Sequence, residues 1–251
     1  MRGFKAFLLG VALAMPACGS SEPANIPAAV ASNRRPDMKL QDAGRKPVEV
    51  MNFLGLRKGD RALDVVSGGG GYYAELMGKA VGPTGSVVAW EPEAFVDAAA
   101  KIRLKDLRER VPNVEVLTSP WNPIPLKPNS FDFVLMHMIY HEFYWESAQY
   151  KIPRVDPDKV LRNIFAATRP GGVVGVVDHS AKPGGNTRNV VDKLHRIDPA
   201  VVRADFVRAG FVFEGESPVL RNPGDDLTKL IFDPAIRGKT DRFVYRFRKP
   251  K

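Results

Sequence analysis

The chain has one cysteine, Cys18, in 251 residues, so no internal disulfide exists and stability must come from a packed core. With 44% apolar residues and this length, a core of one good-sized domain is available. Histidine is also scarce. All four lie after residue 136, which confines imidazole chemistry to the second half of the chain. No internal repeat is seen, and the apolar stretch Ala6–Ala17 falls short of the roughly 20 residues that span a bilayer. A block of one charge is missing too. The net charge of +9 comes from 37 Lys and Arg against 28 Asp and Glu, but cations and acids interleave, as in "KIRLKDLRER" from Lys101 to Arg110. That pattern is a solvated helix face, and no nucleic-acid partner is expected.

The first residues have an export pattern: Arg2 and Lys5, then small and apolar residues, then the polar run Gly19-Ser20-Ser21. Residues 1–17 are accordingly expected to be a signal peptide. Met15-Pro16-Ala17-Cys18 resembles the lipobox of bacterial lipoproteins, although Met15 and Pro16 depart from the usual residues. That resemblance implies an acylated Cys18, periplasmic or lipid-anchored in the bacterial envelope, with no other membrane contact. Ala12-Leu13-Ala14 offers an ordinary cleavage site instead. Residues 18–36, rich in Ala, Pro, Ser and Asn, read as a flexible linker, and 37–251 as the domain.

Within the domain, helical and strand-like segments alternate. "PVEVMNFLGL" opens with Pro47 at a first helical position, "RALDVV" is a short strand, and "YYAELMGKAV" has helical spacing up to Gly82-Pro83. "GSVVAWE" is a second strand, "EAFVDAAAKIRLKDLRER" a long helix, and "NVEVLT", "FDFVLMHM" and "GVVGVVDH" further strands, with a helix over Asp156–Thr168. Strands apolar nearly throughout, alternating with helices, predict a parallel sheet covered on both faces, with ligands at the carboxyl edge of the strands.

Four glycines, Gly68 to Gly71, sit between the first strand and the helix that follows it. Bare backbone beside helix N-terminal amides suits a nucleotide-like ligand. The dinucleotide pattern GxGxxG fails here because Tyr73 stands at its third position. With Asp64 ending strand one, Gly68–Gly71 after it and Glu91 ending strand two, residues 40 to 251 resemble the class I S-adenosylmethionine-dependent methyltransferases. "TRPGG" and the terminal strands "FVFEGES" and "RFVYRFR" add to the likeness. The strings "AVGPTGSV", "YHEFYW", "HRIDPAVVRADFVRAGF" and "FDPAIRGKTDRF" look like those of a group of exported predicted bacterial methyltransferases. The resemblance implies a Rossmann-like α/β fold, a seven-stranded mostly parallel sheet with a C-terminal antiparallel hairpin. It also implies S-adenosylmethionine as cofactor, held by Asp64, Gly68, Gly69, Gly70, Gly71, Tyr72 and Glu91. Two departures stand out. Val66 replaces the first glycine of the Asp-x-Gly-x-Gly-x-Gly motif, so a different turn is expected, and Thr118-Ser119-Pro120 lacks the acid that often meets adenine.

Methyl transfer needs alignment and, for a protonated acceptor, a base. His141 and Glu142, after strand four, are the candidate catalytic pair. Tyr140, Tyr144, Asp178, His179 and Arg237 are candidate acceptor contacts. His137 reads as a half-buried strand residue and His195 as one orienting a helix. No metal is assigned, since no histidine pair with a third ligand at fixed spacing is found. The long connection Pro218–Lys239, with Arg237 and Lys239 as anion contacts, is a candidate cap over the acceptor. Transfer to a small-molecule acceptor is the leading reading. The alternatives are a non-catalytic envelope protein and, less favoured, a nicotinamide-dependent oxidoreductase. Oligomeric state is not legible.

Overall fold

A computed structural model describes residues 22–251. Its centre is a seven-stranded sheet in the order β3-β2-β1-β4-β5-β7-β6. The strands are β1 (Arg61–Val65), β2 (Ser86–Pro92), β3 (Val114–Ser119), β4 (Phe131–His137), β5 (Thr168–His179), β6 (Val212–Ser217) and β7 (Arg242–Arg248). β1 to β5 are mutually parallel, and β7 runs antiparallel between β5 and β6. This is the α/β methyltransferase-like sheet with its terminal hairpin. Parallel strands send all five carboxyl ends to one edge, where Asp64, Glu91, His137, Asp178 and His179 therefore collect.

Period-two alternation sorts these residues onto two faces. On one face Ala62, Phe133, Leu135, Val173 and Val177 pack against four helices: α1 (Ile26–Ala31), α4 (Pro47–Leu54), α5 (Tyr72–Val81) and α6 (Ala98–Arg110). On the other, Leu63, Val65, Val134, Met136, Val174 and Val176 meet α7 (Pro157–Ala167), α8 (Thr187–Leu194) and α9 (Pro199–Arg208). Two short helices, α2 (Pro36–Lys39) and α3 (Asp42–Arg45), sit above the carboxyl edge. Among the described residues no helix is long and apolar enough to cross a membrane.

The helix over Glu93–Arg110 is interrupted. A 3₁₀ turn at Glu93–Phe95 precedes Asp97, whose carboxylate accepts from the Ala100 amide at 2.6 Å and starts α6 afresh. A local cap outweighs the continuous apolar pattern here. Strand β5 is also longer than the pattern predicts, because "TRPGG" enters the sheet.

The flexible linker expected over residues 18–36 does not describe Glu22–Pro36. Ala24 donates its amide to Leu56 O at 3.0 Å, α1 is capped by the Asn25 side chain, and Ile26 and Ala29 are buried. The small residues that read as linker pack α1 closely on α4 and α5. The export segment and Cys18 lie outside the described residues.

Candidate functional site

Two cavities open at the carboxyl edge. The first, about 230 Å³, lies over β1 and is lined by Asp64, Val66, Ser67, Gly68, Tyr72, Tyr73, Phe95 and His137. The glycines divide their work. Gly68 (φ 79°) has open space where a Cβ would stand and faces this cavity. Gly69 donates its amide to Glu91 Oε1 at 2.6 Å. A Cβ on Gly70 would overlap Met38 of α2, and one on Gly71 would overlap Leu107 of α6. Only one of the four is bare for a ligand; the others let neighbouring elements close in.

Val66 stands where the family's motif has its first glycine. It takes φ 55°, a left-handed conformation that glycine adopts freely and a β-branched residue adopts only under strain of about 1–3 kcal/mol. Ser119, where an acid was missing, accepts from Trp90 Nε1 at 2.9 Å and is fully engaged in the core.

Two acids meet beneath the glycine loop. Glu91 Oε1 also accepts from Ser67 Oγ at 2.9 Å, while Oε2 is buried without a partner, and burial raises the carboxyl pKa. Asp64 is fully buried; desolvation, and then repulsion from Glu91, push it up to about 7. Its Oδ2 likewise has no partner. Glu91 lines neither cavity, but Asp64 does, and an under-satisfied buried carboxyl in a cavity wall calls for a ligand that brings donors or positive charge. The ammonium, sulfonium and ribose hydroxyls of S-adenosylmethionine fit that demand.

Above this cavity the N-terminal segment forms a roof. Asp42 accepts from both Nη atoms of Arg34 (3.0 and 2.9 Å) and from the Tyr72 hydroxyl at 2.6 Å. The Arg45 guanidinium lies 4.4 Å over the Tyr72 ring. None of Arg34, Asp42 and Arg45 was singled out in the sequence. Their only signal was that they lie near Pro36 and Pro47, each a helix start.

The second cavity, about 770 Å³, lies between α2–α3 and the loop before β7. His179, Arg237, Lys239, Thr240 and Arg242 line it, and it shares Gln41, Arg45 and Met138 with the first cavity. The loop is held as a fixed wall. Arg196, fully buried, pairs with both oxygens of Asp225 at 2.8 and 3.1 Å, and Asp225 Oδ2 also accepts from the Asp241 amide at 2.6 Å.

Several sequence candidates face elsewhere. His141 lines neither cavity and is 2% exposed. Its Nδ1 lies 2.7 Å from Asp178 Oδ1 and its Nε2 3.2 Å from Glu142 Oε1. Burial opposes charge, but the two carboxylates overcome it and raise the ring to about 10. A ring already protonated at neutral pH, with both nitrogens engaged, is not a base. Glu142 gives Oε1 to that ring and lines neither cavity, its Oε2 being buried without a partner, and Asp178, held low by His141 against its own burial, also accepts the His141 and His179 amides. Tyr140 and Tyr144 both donate their hydroxyls to Asp205 of α9, so they brace the second core and do not cage a substrate.

His179, one residue after Asp178, lines the second cavity, with its ring edge-on to the His141 ring at 5.9 Å between centroids. Its Nδ1 is 2.7 Å from Thr240 Oγ1, and burial lowers its pKa to about 3, so the ring is neutral. His137 is buried, more so than the sequence implied, against Tyr73 with ring centroids 4.5 Å apart. Burial, then Arg45 and Arg242, hold it neutral. His195 does more than orient a helix: at φ 49° it ends α8 and packs on Trp145, Phe232 and His141.

Comparison with known proteins agrees with this geometry. Residues 63–176, from β1 through most of β5, match the methyltransferase domain family. The ubiquinone/menaquinone biosynthesis C-methyltransferase UbiE of Pasteurella multocida is 28% identical over 143 residues, 57% of this chain and 46% of that protein. Demethylmenaquinone methyltransferase of Staphylococcus aureus is 36% identical over 85 residues, 34% of this chain and 33% of that protein. The chain thus spans less than half the length of these curated relatives. Among solved structures, a SAM dependent methyltransferase from Aquifex aeolicus has a TM-score of 0.58 at 23% identity, covering 86% of this chain and 99% of that one. The [4+2]-cyclase SpnF also has a TM-score of 0.58, at 17% identity, covering 92% and 98%. Residues 63–176 thus match the methyltransferase domain family, and the chain carries them in the fold of the class I S-adenosylmethionine-dependent methyltransferases.

Proposed function

We propose that the protein is an enzyme that transfers the methyl group of S-adenosylmethionine to a small-molecule acceptor. The observation that carries this reading is the junction of the two cavities at Gln41, Arg45 and Met138. A ligand on Asp64 and Gly68 and another beside His179 would meet there, and in-line displacement needs that alignment above all. The cofactor supplies the electrophilic methyl group on its sulfonium. Asp64 offers its free oxygen to the cofactor's ammonium or hydroxyls, Glu91 holds the Ser67–Gly69 loop from behind, and Tyr72 and Phe95 wall the cofactor from water. His179, neutral and facing the acceptor cavity, replaces His141 as the group that hydrogen-bonds the acceptor's nucleophilic atom. His141 acts at one remove: with Asp178 it fixes the turn after β4 and the end of β5.

The partial likeness to quinone-biosynthesis methyltransferases supports a small organic acceptor. Export, through residues 1–17 and lipidation of Cys18, is part of the same proposal; its support is the sequence pattern, and mass spectrometry of the mature N-terminus tests it. Calorimetric titration with S-adenosylmethionine and its demethylated product, S-adenosylhomocysteine, tests the cofactor site. Micromolar binding that Glu91→Gln weakens at least tenfold is expected. Folded protein that binds neither ligand would overturn the reading.

A further inference from the structure

The acceptor cavity has a lopsided charge. Its ionisable lining consists of Arg45, Arg237, Lys239 and Arg242 with the neutral His179, and it contains no carboxylate. None of the four cations has an ion-pair partner among the described residues. Asp241, the acid nearest in sequence, is turned away onto Arg221 at 3.1 Å and the Asn222 amide.

Arg242 is the most telling of the four. It is 7% exposed, its Nη2 donates to Gly44 O at 2.7 Å, and its Nε is buried with no partner. Burial pulls both Arg45 and Arg242 below the usual arginine range, and repulsion from Arg45 adds to this at Arg242. Two guanidinium groups that repel each other, one buried and one half-buried, favour a ligand that answers their charge. Asp42 and Asp64 act on Arg45 from a distance and Asp241 on Arg242, but no carboxylate pairs directly with either, so a bound anion would complete the balance. Two large apolar side chains of the lining are uncovered: Leu40 is 84% exposed and Phe232 50%.

We infer that the acceptor is an organic anion with an apolar body, its carboxylate or phosphate taken by Arg242, Arg45, Arg237 and Lys239 and its body lying against Leu40 and Phe232. This rests on the methyltransferase reading and narrows its substrate class. Arginine forks suit the planar or trigonal oxygens of such groups, and the bound anion would also tie α3 to β7 through the Arg242–Gly44 contact. The roof over the cofactor cavity would then be drawn closed by the acceptor itself.

The full chain is titrated calorimetrically with benzoate and phenyl phosphate, and with the neutral benzamide and benzyl alcohol, each with and without saturating S-adenosylhomocysteine. The anionic probes are expected to bind at least tenfold more tightly than the neutral ones. The double variant Arg237→Gln/Lys239→Gln, altered only at exposed positions, should lose at least threefold of that preference, and Arg242→Gln most of it. Equal binding of anionic and neutral probes, failure of all four to bind, or an unchanged preference in the double variant would overturn the inference. Failure of S-adenosylhomocysteine alone to bind would instead strike the cofactor reading, and the probe titrations without it keep the two results apart.

Discussion

Asp178→Asn is the substitution with the most calculable consequence. In the folded protein the His141 ring is held at about 10 against an ordinary 6.5, chiefly by Asp178 and Glu142 working against burial. At about 1.4 kcal/mol per unit, that difference is about 5 kcal/mol of preference for the charged ring in the folded state. Because the folded value lies above the unfolded one, this stability is complete below pH ~6.5 and is lost as the pH rises through about 10. Between pH 6 and pH 9 the wild type should therefore lose about 3 kcal/mol from this group, a fall of about 1 M in the urea midpoint. Asparagine at 178 removes the anion and leaves a buried cation with Glu142 alone, a loss of about 3–5 kcal/mol at neutral pH. The variant should be weaker at pH 6 and show a much flatter decline to pH 9. Urea unfolding followed by tryptophan fluorescence at both pH values is the assay. A variant within 1 kcal/mol of wild type at pH 6, with the same slope, would refute the assignment of a charged His141.

Two further perturbations separate wall from floor. Gly71→Ala should destabilise by about 2–4 kcal/mol, from its φ of 67° and the overlap with Leu107. Gly68→Ala, where space is open, should cost only about 1 kcal/mol of stability while weakening S-adenosylhomocysteine tenfold; calorimetry and thermal melts together test the contrast. Asp225→Asn breaks a buried pair and should cost about 3–5 kcal/mol. It should also make the 222–240 segment the first site of proteolytic cleavage, read by limited digestion with trypsin.

The sheet was legible because its strands are short apolar runs bounded by turns and caps, and the glycine loop and Glu91 follow from strand order alone. What the sequence hid was direction. Asp178 and His179 are neighbours in the chain, and only the pleat shows that one reaches His141 and the other lines the acceptor cavity. His141 attracted a catalytic reading by its place after β4, but the carboxylates that engage both its nitrogens are 37 residues away in one case and adjacent in the other. The roof was hidden for a different reason. Glu22–Arg45 is built from small and polar residues in short helices, which carry little periodicity, and its bonds to Tyr72 and Gly44–Arg242 are all long-range.

The alternation at the end of β5 also limits how this protein can change length. One residue inserted between Val173 and Asp178 would turn the following side chains over. A carboxylate would then enter the cavity among the arginines and neutralise the charge meant for a ligand, while Val177 met His141 in place of its counterion. Both effects would come from a single added codon that alters no functional residue. Length variation should therefore be tolerated in the turn after His179, around Lys182–Gly185, and be absent from the strand that precedes it.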